Sequence, residues 1–155
     1  IMPLIGSYMR NYVYGPEDIS LKEVPFMLKI GRFILNGKVD RLELCENVAN
    51  IFDFKTDDVL DFKVGSNAMM YEAQVKAYSV AVWRNYRPRK IMTRLHFLKP
   101  DKCSDMEFGE QDILKAERFI LNALDGIDEA SMGNTEIREC DYCRECAYSV
   151  LCGIK

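Results

Sequence analysis

The run from Gly37 to Thr56 constrains the fold of this chain more than any other part of it. It reads Gly-Lys-Val-Asp-Arg, then a short polar turn, then Ile-Phe-Asp-Phe-Lys-Thr. Side chains along a strand alternate with period two, so Asp53 and Lys55 share one face of a strand while Phe52 and Phe54 take the other. Asp40 closes the strand-like run just before it. Charged groups on adjacent strands are costly to bury unless something satisfies them. A hard divalent cation with an attacked phosphodiester would do so: Mg²⁺ takes one or two carboxylates plus waters and phosphate oxygens. Lys55 could then steady the attacking hydroxide or the charge building on the phosphoryl oxygens. The backbone carbonyl of Phe54 is a natural extra ligand. Taken alone, Asp-x-Lys also fits an ordinary ion pair on an exposed strand face.

The flanking sequence predicts the elements that would carry this stretch. Leu4, Ile5, Tyr8, Met9 and Tyr12 recur at helical spacing until Gly15-Pro16. From Leu21 to Ile30 the pattern alternates, with Val24, Phe26, Leu28 and Ile30 on one face. Gly31-Arg32 is a tight turn into a strand from Phe33 to Leu42, and its partner runs from Val48 to Thr56, which makes an antiparallel meander. Asp57 to Asn67 reads as a loop, with Ser66 or Asn67 capping a helix from Ala68 to about Asn85. That helix buries Tyr71, Val75, Tyr78 and Val82, with Gln74 at the edge of the stripe. Arg87-Pro88-Arg89 ends it; Ile91 to Leu98 is a fourth strand and Asp105 to Phe108 a short edge strand. A second amphipathic helix spans Glu110 to Asp125, closed by Gly126.

Composition sets limits on this reading. At 155 residues, 48% hydrophobic and 29% charged, the chain suits one folded domain with an appendage. No apolar run approaches the roughly 20 residues of a membrane-spanning helix, and no secretory leader is visible, so a cytoplasmic, reducing location is the default. The net charge of −3 does not advertise nucleic-acid binding. Basic residues nevertheless cluster at Arg84, Arg87, Arg89, Lys90 and Arg94. Arg87, Arg89 and Lys90 are candidates for a phosphate-facing patch, against the alternative of a solvated helix end and strand edge. The start at Ile1 suggests a piece cut from something longer.

The chain ends in Cys140, Cys143, Cys146 and Cys152, four thiols in a short irregular segment. A tail with little core needs a staple, and in a reducing compartment a metal suits that role better than disulfides. Four thiolates fit tetrahedral Zn²⁺ or an iron-sulfur cluster, and spacing does not choose between them or exclude unligated thiols.

Taken in order, Gly37-Lys38-Val39-Asp40-Arg41, Phe52-Asp53-Phe54-Lys55-Thr56, and Gln74 with Tyr78 resemble the signature of the PD-(D/E)xK nuclease superfamily. The closer resemblance is to RecB-like nuclease domains, whose first strand Glu23-Val24-Pro25-Phe26 also evokes, and it runs from about Leu21 to Cys152. It implies an α/β (α+β) restriction-endonuclease-like core over 1–126, a mixed sheet with a meander flanked by helices. A cysteine-rich tail, 127–155, would pack on it. It further implies a Mg²⁺- or Mn²⁺-dependent deoxyribonuclease with Asp40 and Asp53 as metal ligands, joined at the active site by Lys55, Gln74 and Tyr78. Gln74 and Tyr78 are four apart and so neighbours on one helical face. The parent expected is a helicase-nuclease of UvrD/Rep or AddAB type acting in DNA repair or recombination. The partners are then DNA and a helicase domain, in the same polypeptide or a partner subunit, with no membrane.

Several relatives in that group end in Cys-x2-Cys-x5-Cys around a [4Fe-4S] cluster, with a fourth cysteine from upstream of the core. Here no cysteine precedes Cys45, so Cys140 must substitute or the fourth ligand is absent. The group also places a His or Glu ligand on a helix before the first strand. The only histidine is His96, on the fourth strand, so Glu17 or Glu23 stands in or the helix that carried the ligand was removed. A non-catalytic nucleic-acid-binding or scaffold module with an incomplete metal site is the competing expectation, and a zinc-stabilised docking tail a third.

Overall fold

Two long strands begin the sheet: β1 (Ile19–Ile30) and β2 (Phe33–Cys45) pair antiparallel from Ile19–Leu44 to Ile30–Phe33 in the computed structural model. The structure describes residues 19–56, 68 and 70–132. The expected opening helix, the loop 57–67 with Ser66 and Asn67, and the cysteine tail therefore lie outside the described residues. Gly31 and Arg32 form the turn between β1 and β2, and Gly31 has a φ of 55°, a conformation that glycine takes without steric penalty. The pair Glu46-Asn47 turns β2 into β3 (Val48–Lys55). The chain then crosses over through α1 (Glu72–Tyr86) to β4 (Lys90–Phe97). Next come β5 (Lys102–Phe108) and α2 (Glu110–Ser131). The strand order is β1-β2-β3-β4-β5, and only the β3–β4 ladder is parallel. That is the mixed sheet expected, and the parallel pair is the one that needs a crossover helix.

The expected alternation is present. Leu28 and Ile30 of β1 are buried, as are Ala49 and Ile51 of β3 and Ile91, Leu95 and Phe97 of β4. Each of the leucine, isoleucine and phenylalanine side chains contributes on the order of 1.5–3 kcal/mol when taken from water. The pattern slips at one place. Along β2 the buried residues run Val39, Arg41, Leu42, so simple alternation is lost beside Asp40. On β1 the matching irregularity is Glu23, whose φ is 53°, although pairing continues unshifted from Lys22–Arg41 to Val24–Val39. A left-handed residue within a strand is uncommon, and here both strands deviate at the level of the candidate carboxylate.

Helix α1 packs on β1, β3 and β4. It starts later than the sequence suggests: Ala68 and Met70 are helical, Tyr71 is a turn residue, and the regular helix begins at Glu72 with no side-chain cap. Its stripe is as expected at Val75, Tyr78 and Val82. Arg87 closes it in the left-handed conformation, with φ 53° and its N–H bonded to Trp83 O, just before Pro88. Arg84 ties α1 to both neighbours, donating to Lys29 O and, at 2.8 Å, to Glu117 of α2.

Helix α2 buries Ile113, Ala116 and Ile120. At its start the Gly109 N–H donates to Asp112 Oδ2 at 3.2 Å, half of a capping box, and this bond holds the Asp112 carboxyl below its ordinary range. The helix does not stop at Gly126 but continues to Ser131. A C-terminal glycine ends a helix by turning left-handed, and Gly126 does not; it costs the helix about 1 kcal/mol relative to alanine without breaking it. Leu121 begins a second compact unit, represented among the described residues by the end of α2. No described helix is long and apolar enough to cross a membrane.

Candidate active site

The β2–β3 ladder ends at Arg41–Phe52. The next N–H of β3 on that side, Phe54's, is taken instead by the Asp40 carboxylate, Oδ2 accepting at 2.9 Å. A side chain thus replaces a strand partner, which leaves no backbone donor orphaned and anchors Asp40 within one residue of Asp53. Asp53 is 4% exposed. Its Oδ2 lies 2.6 Å from the Lys55 ammonium, with side-chain exposures of 6% and 12%, so this is a buried ion pair and not a surface one. Phe52 and Phe54 face the other way, against Arg41 and His96 respectively.

The ammonium has further partners. Lys55 Nζ donates to Gln74 Oε1 at 2.8 Å, and Gln74 Nε2 donates to the Tyr78 hydroxyl at 2.6 Å. The Tyr71 ring lies under the same ammonium, 4.0 Å from Nζ to the ring centre. Tyr78 in turn meets Phe26 edge to face at 5.7 Å. Gly37, opposite Phe26 in the β1–β2 register, leaves room for that ring: a Cβ at Gly37 would come 2.4 Å from Phe26 Cζ. Burial, followed by the charge of Asp53, pushes the Tyr78 phenol up to about 12, with Asp40 adding to the shift. Tyr78 is therefore a neutral hydroxyl throughout the physiological range.

The residues named from sequence divide into three groups. Asp40, Asp53, Lys55, Gln74 and Tyr78 come together at the C-terminal end of β3 and the facing side of α1. Arg87, Arg89 and Lys90 do not join them. Lys90 pairs with Val48 at the opposite end of the β3–β4 ladder, whereas Lys55 pairs with Phe97, and a rise of 3.3 Å per residue separates those ends by about 23 Å. There Arg89 N–H bonds Asn47 O at 2.7 Å, and Lys90 forms an ion pair with Glu107 at 2.8 Å. Cys140, Cys143, Cys146 and Cys152 lie outside the described residues. Glu23 pairs with Lys38 on an exposed surface, and His96 is fully buried with Nε2 3.0 Å from Asp101, as a packing residue would be. Sequence reading counted Tyr71 only as part of the buried stripe. Its spacing of three from Gln74 and seven from Tyr78 already put it on their face.

Mg²⁺ or Mn²⁺ fits this donor set. The Asp40 carboxylate is bonded to the Phe54 N–H, one residue from the buried Asp53, whose Oδ2 pairs with an ammonium that also has neutral partners. Among the described residues no group of three His, Cys, Asp or Glu side chains gathers into a fuller cage. Two carboxylates are the kind of donor set used by an ion that keeps several waters and takes few protein ligands. A cavity of about 260 Å³ lined by Asn50, Phe52, Arg94 and Asp105 involves none of these groups.

A profile of the PD-(D/E)XK nuclease superfamily matches residues 7–153. The chain belongs to this superfamily. Members of the PD-(D/E)XK superfamily generally use Mg²⁺ or Mn²⁺. Among solved structures, this superfamily member is similar to SSO0001, with 17% identity and a TM-score of 0.47 over 86% of this chain and 59% of that one. It is also similar to a Eubacterium rectale protein with a provisional exonuclease assignment: 19% identity and a TM-score of 0.49 over 95% of this chain and 60% of that one. The chain thus spans about 60% of the length of the solved structures it matches. No curated protein matches.

Proposed function

We propose that this chain is the nuclease domain of a RecB-like helicase-nuclease, hydrolysing DNA phosphodiesters with Mg²⁺ or Mn²⁺. One observation carries the reading: a single buried ammonium, Lys55, is held at once by Asp53 and by Gln74, which is itself bonded to Tyr78. An ion pair kept only for stability has no need of an amide and a phenol arranged behind it.

Asp40 and Asp53, with the Phe54 carbonyl, would hold the metal, which supplies the Lewis acidity that activates water and neutralises charge on the phosphate. Lys55 projects a fixed positive charge toward the phosphoryl oxygens, where charge accumulates during in-line attack. Gln74 gives the ammonium, which already contacts Asp53, a second fixed acceptor, and Tyr78, protonated, holds Gln74 in place. The P–O bond to the leaving nucleotide breaks as water adds to phosphorus. Arg87, Arg89 and Lys90, at the opposite end of the β3–β4 ladder from Lys55, would grip a remote stretch of the substrate backbone and not the reacting phosphate. The four tail cysteines would form a [4Fe-4S] or Zn²⁺ staple on the nuclease core, and a brown colour in the purified protein would distinguish the cluster from zinc.

Cleavage of single-stranded DNA with Mn²⁺ tests the roles: the parent cuts, while Asp53→Ala and Lys55→Ala lose at least 100-fold. Equal activity in all three would overturn the assignment. The competing reading is a non-catalytic nucleic-acid-binding or scaffold module with the same fold and an incomplete metal site. It predicts binding that weakens steeply with salt, involves Arg87, Arg89 or Lys90, and is never followed by cleavage with any metal.

A further inference from the structure

We propose that Tyr71 is a positioning residue for the Lys55 ammonium, holding it through the face of its ring. The inference rests on the nuclease reading above for its consequence in catalysis, and on geometry alone for the contact.

Three observations converge on Tyr71. The first is the contact: Lys55 Nζ sits 4.0 Å from the ring centre, inside the range in which a ring quadrupole attracts a cation, and the ammonium is largely withdrawn from water. The second is the setting of the ring itself. Phe97, which is fully buried and lies beside Lys55 in the β3–β4 register, packs against Tyr71 at 6.2 Å between centres with the planes tilted by 58°. The strand that neighbours Lys55 thus also fixes the ring beneath it. The third is the backbone. Tyr71 is the turn residue between two helical pieces, with φ −97° and ψ 5°, and it makes no side-chain cap bond. Those angles fall in the sparsely populated bridge region, where many active-site residues are found. Its carbonyl still starts α1, accepting from Val75 N–H at 2.9 Å, so the hydrogen bonding of the helix begins at Tyr71 despite the interruption.

The ammonium is consequently enclosed by three different partners: a carboxylate, an amide oxygen and an aromatic face. The first two are acceptors in fixed directions. Lys55 already sits 2.6 Å from the Asp53 oxygen, on the carboxylate that a metal would need. The ring face adds a further attraction on the cation from another direction while offering no lone pair that could compete for the metal.

The test uses the full chain and the variants Tyr71→Phe, Tyr71→Leu and Tyr71→Met, the last as a flexible replacement should Leu fold poorly. Cleavage of single-stranded DNA is measured at saturating Mn²⁺, and urea unfolding is measured in EDTA, alone and combined with Lys55→Met. The inference expects Tyr71→Leu and Tyr71→Met to lower kcat about tenfold with KM unchanged and Tyr71→Phe to stay within threefold of the parent. The urea-midpoint shifts of Tyr71→Leu and Lys55→Met should combine to less than their sum, because each removes the same contact. It is overturned if Tyr71→Phe loses as much activity as Tyr71→Leu, or if the midpoint shifts simply add. Should the parent fail to cut while the shifts are less than additive, the nuclease reading falls and the Tyr71–Lys55 contact stands.

Discussion

Gln74 takes the orientation of its amide from Lys55. An ammonium can only donate, so the side-chain oxygen of Gln74 must face it, at 2.8 Å, and the NH₂ group is thereby turned to the Tyr78 hydroxyl at 2.6 Å. The direction of this short chain is fixed by chemistry at one end, and Tyr78 receives a hydrogen bond that leaves its own proton free to donate.

Removing the link should loosen the ammonium without emptying the site. Gln74→Ala is expected to reduce cleavage about 10- to 100-fold, the scale of a misplaced catalytic group, with unchanged far-ultraviolet circular dichroism. Gln74→Glu, which keeps an acceptor for Lys55 and can be met by the Tyr78 proton, should lose less. Initial rates on end-labelled DNA would rank the two.

Lys55→Met leaves the Asp53 carboxylate buried without its counter-charge. In EDTA this should lower unfolding stability by about 3 kcal/mol, the order found when one partner of a buried pair is removed. Saturating Mg²⁺ should recover much of the loss, since a bound cation replaces the missing charge. Urea midpoints of parent and variant, with EDTA or with Mg²⁺, decide it; an identical midpoint in EDTA would contradict the buried pair.

Tyr78 gives a pH signature. Its phenol is raised from 10.0 to about 12 in the fold, so between those values the native state holds a proton that the unfolded chain has released. Stability should therefore be indifferent to this group below pH 10 and fall as the pH climbs toward 12. Tyr78→Phe should flatten that part of the stability curve measured by urea unfolding.

Gly37→Ala is expected to destabilise by about 1–3 kcal/mol, because the new Cβ would overlap the Phe26 ring at 2.4 Å and that ring is held from the other side by Tyr78. Cleavage should fall as well, through displacement of Tyr78. Gly126→Ala offers the opposite sign: nothing lies within 4 Å of its Cβ position and the site is helical, so a gain of about 0.5–1 kcal/mol should appear as a raised melting temperature.

Most of the sheet was legible because its face toward α1 is buried, and period-two burial writes itself into sequence at Leu28, Ile30, Ala49, Ile51, Ile91 and Leu95. Local spacing puts Asp53 with Lys55 on one strand face and Gln74 with Tyr78 on one helical face, and it was the ordered resemblance to the PD-(D/E)xK superfamily, not spacing, that joined the two pairs and Asp40 into one expected site. Three things were not legible. Gly126 carries an end signal that the helix ignores, since the backbone there never needs the left-handed region. The break at Tyr71 has no glycine or proline to announce it. The distance of Arg87, Arg89 and Lys90 from the carboxylates follows from β4 running parallel to β3, a matter of strand order that no local pattern encodes.

That parallel ladder also orders events in time. The two carboxylates are joined by one tight turn at Glu46-Asn47, so a ribosome-bound chain that has emerged only as far as Lys55 could already hold both. The partners that discipline its ammonium, Tyr71, Gln74 and Phe97, are synthesised later and arrive only when the crossover closes. Local pairing can therefore bring the two carboxylates together first, and the ammonium gains its fixed setting only once α1 and β4 have closed over it.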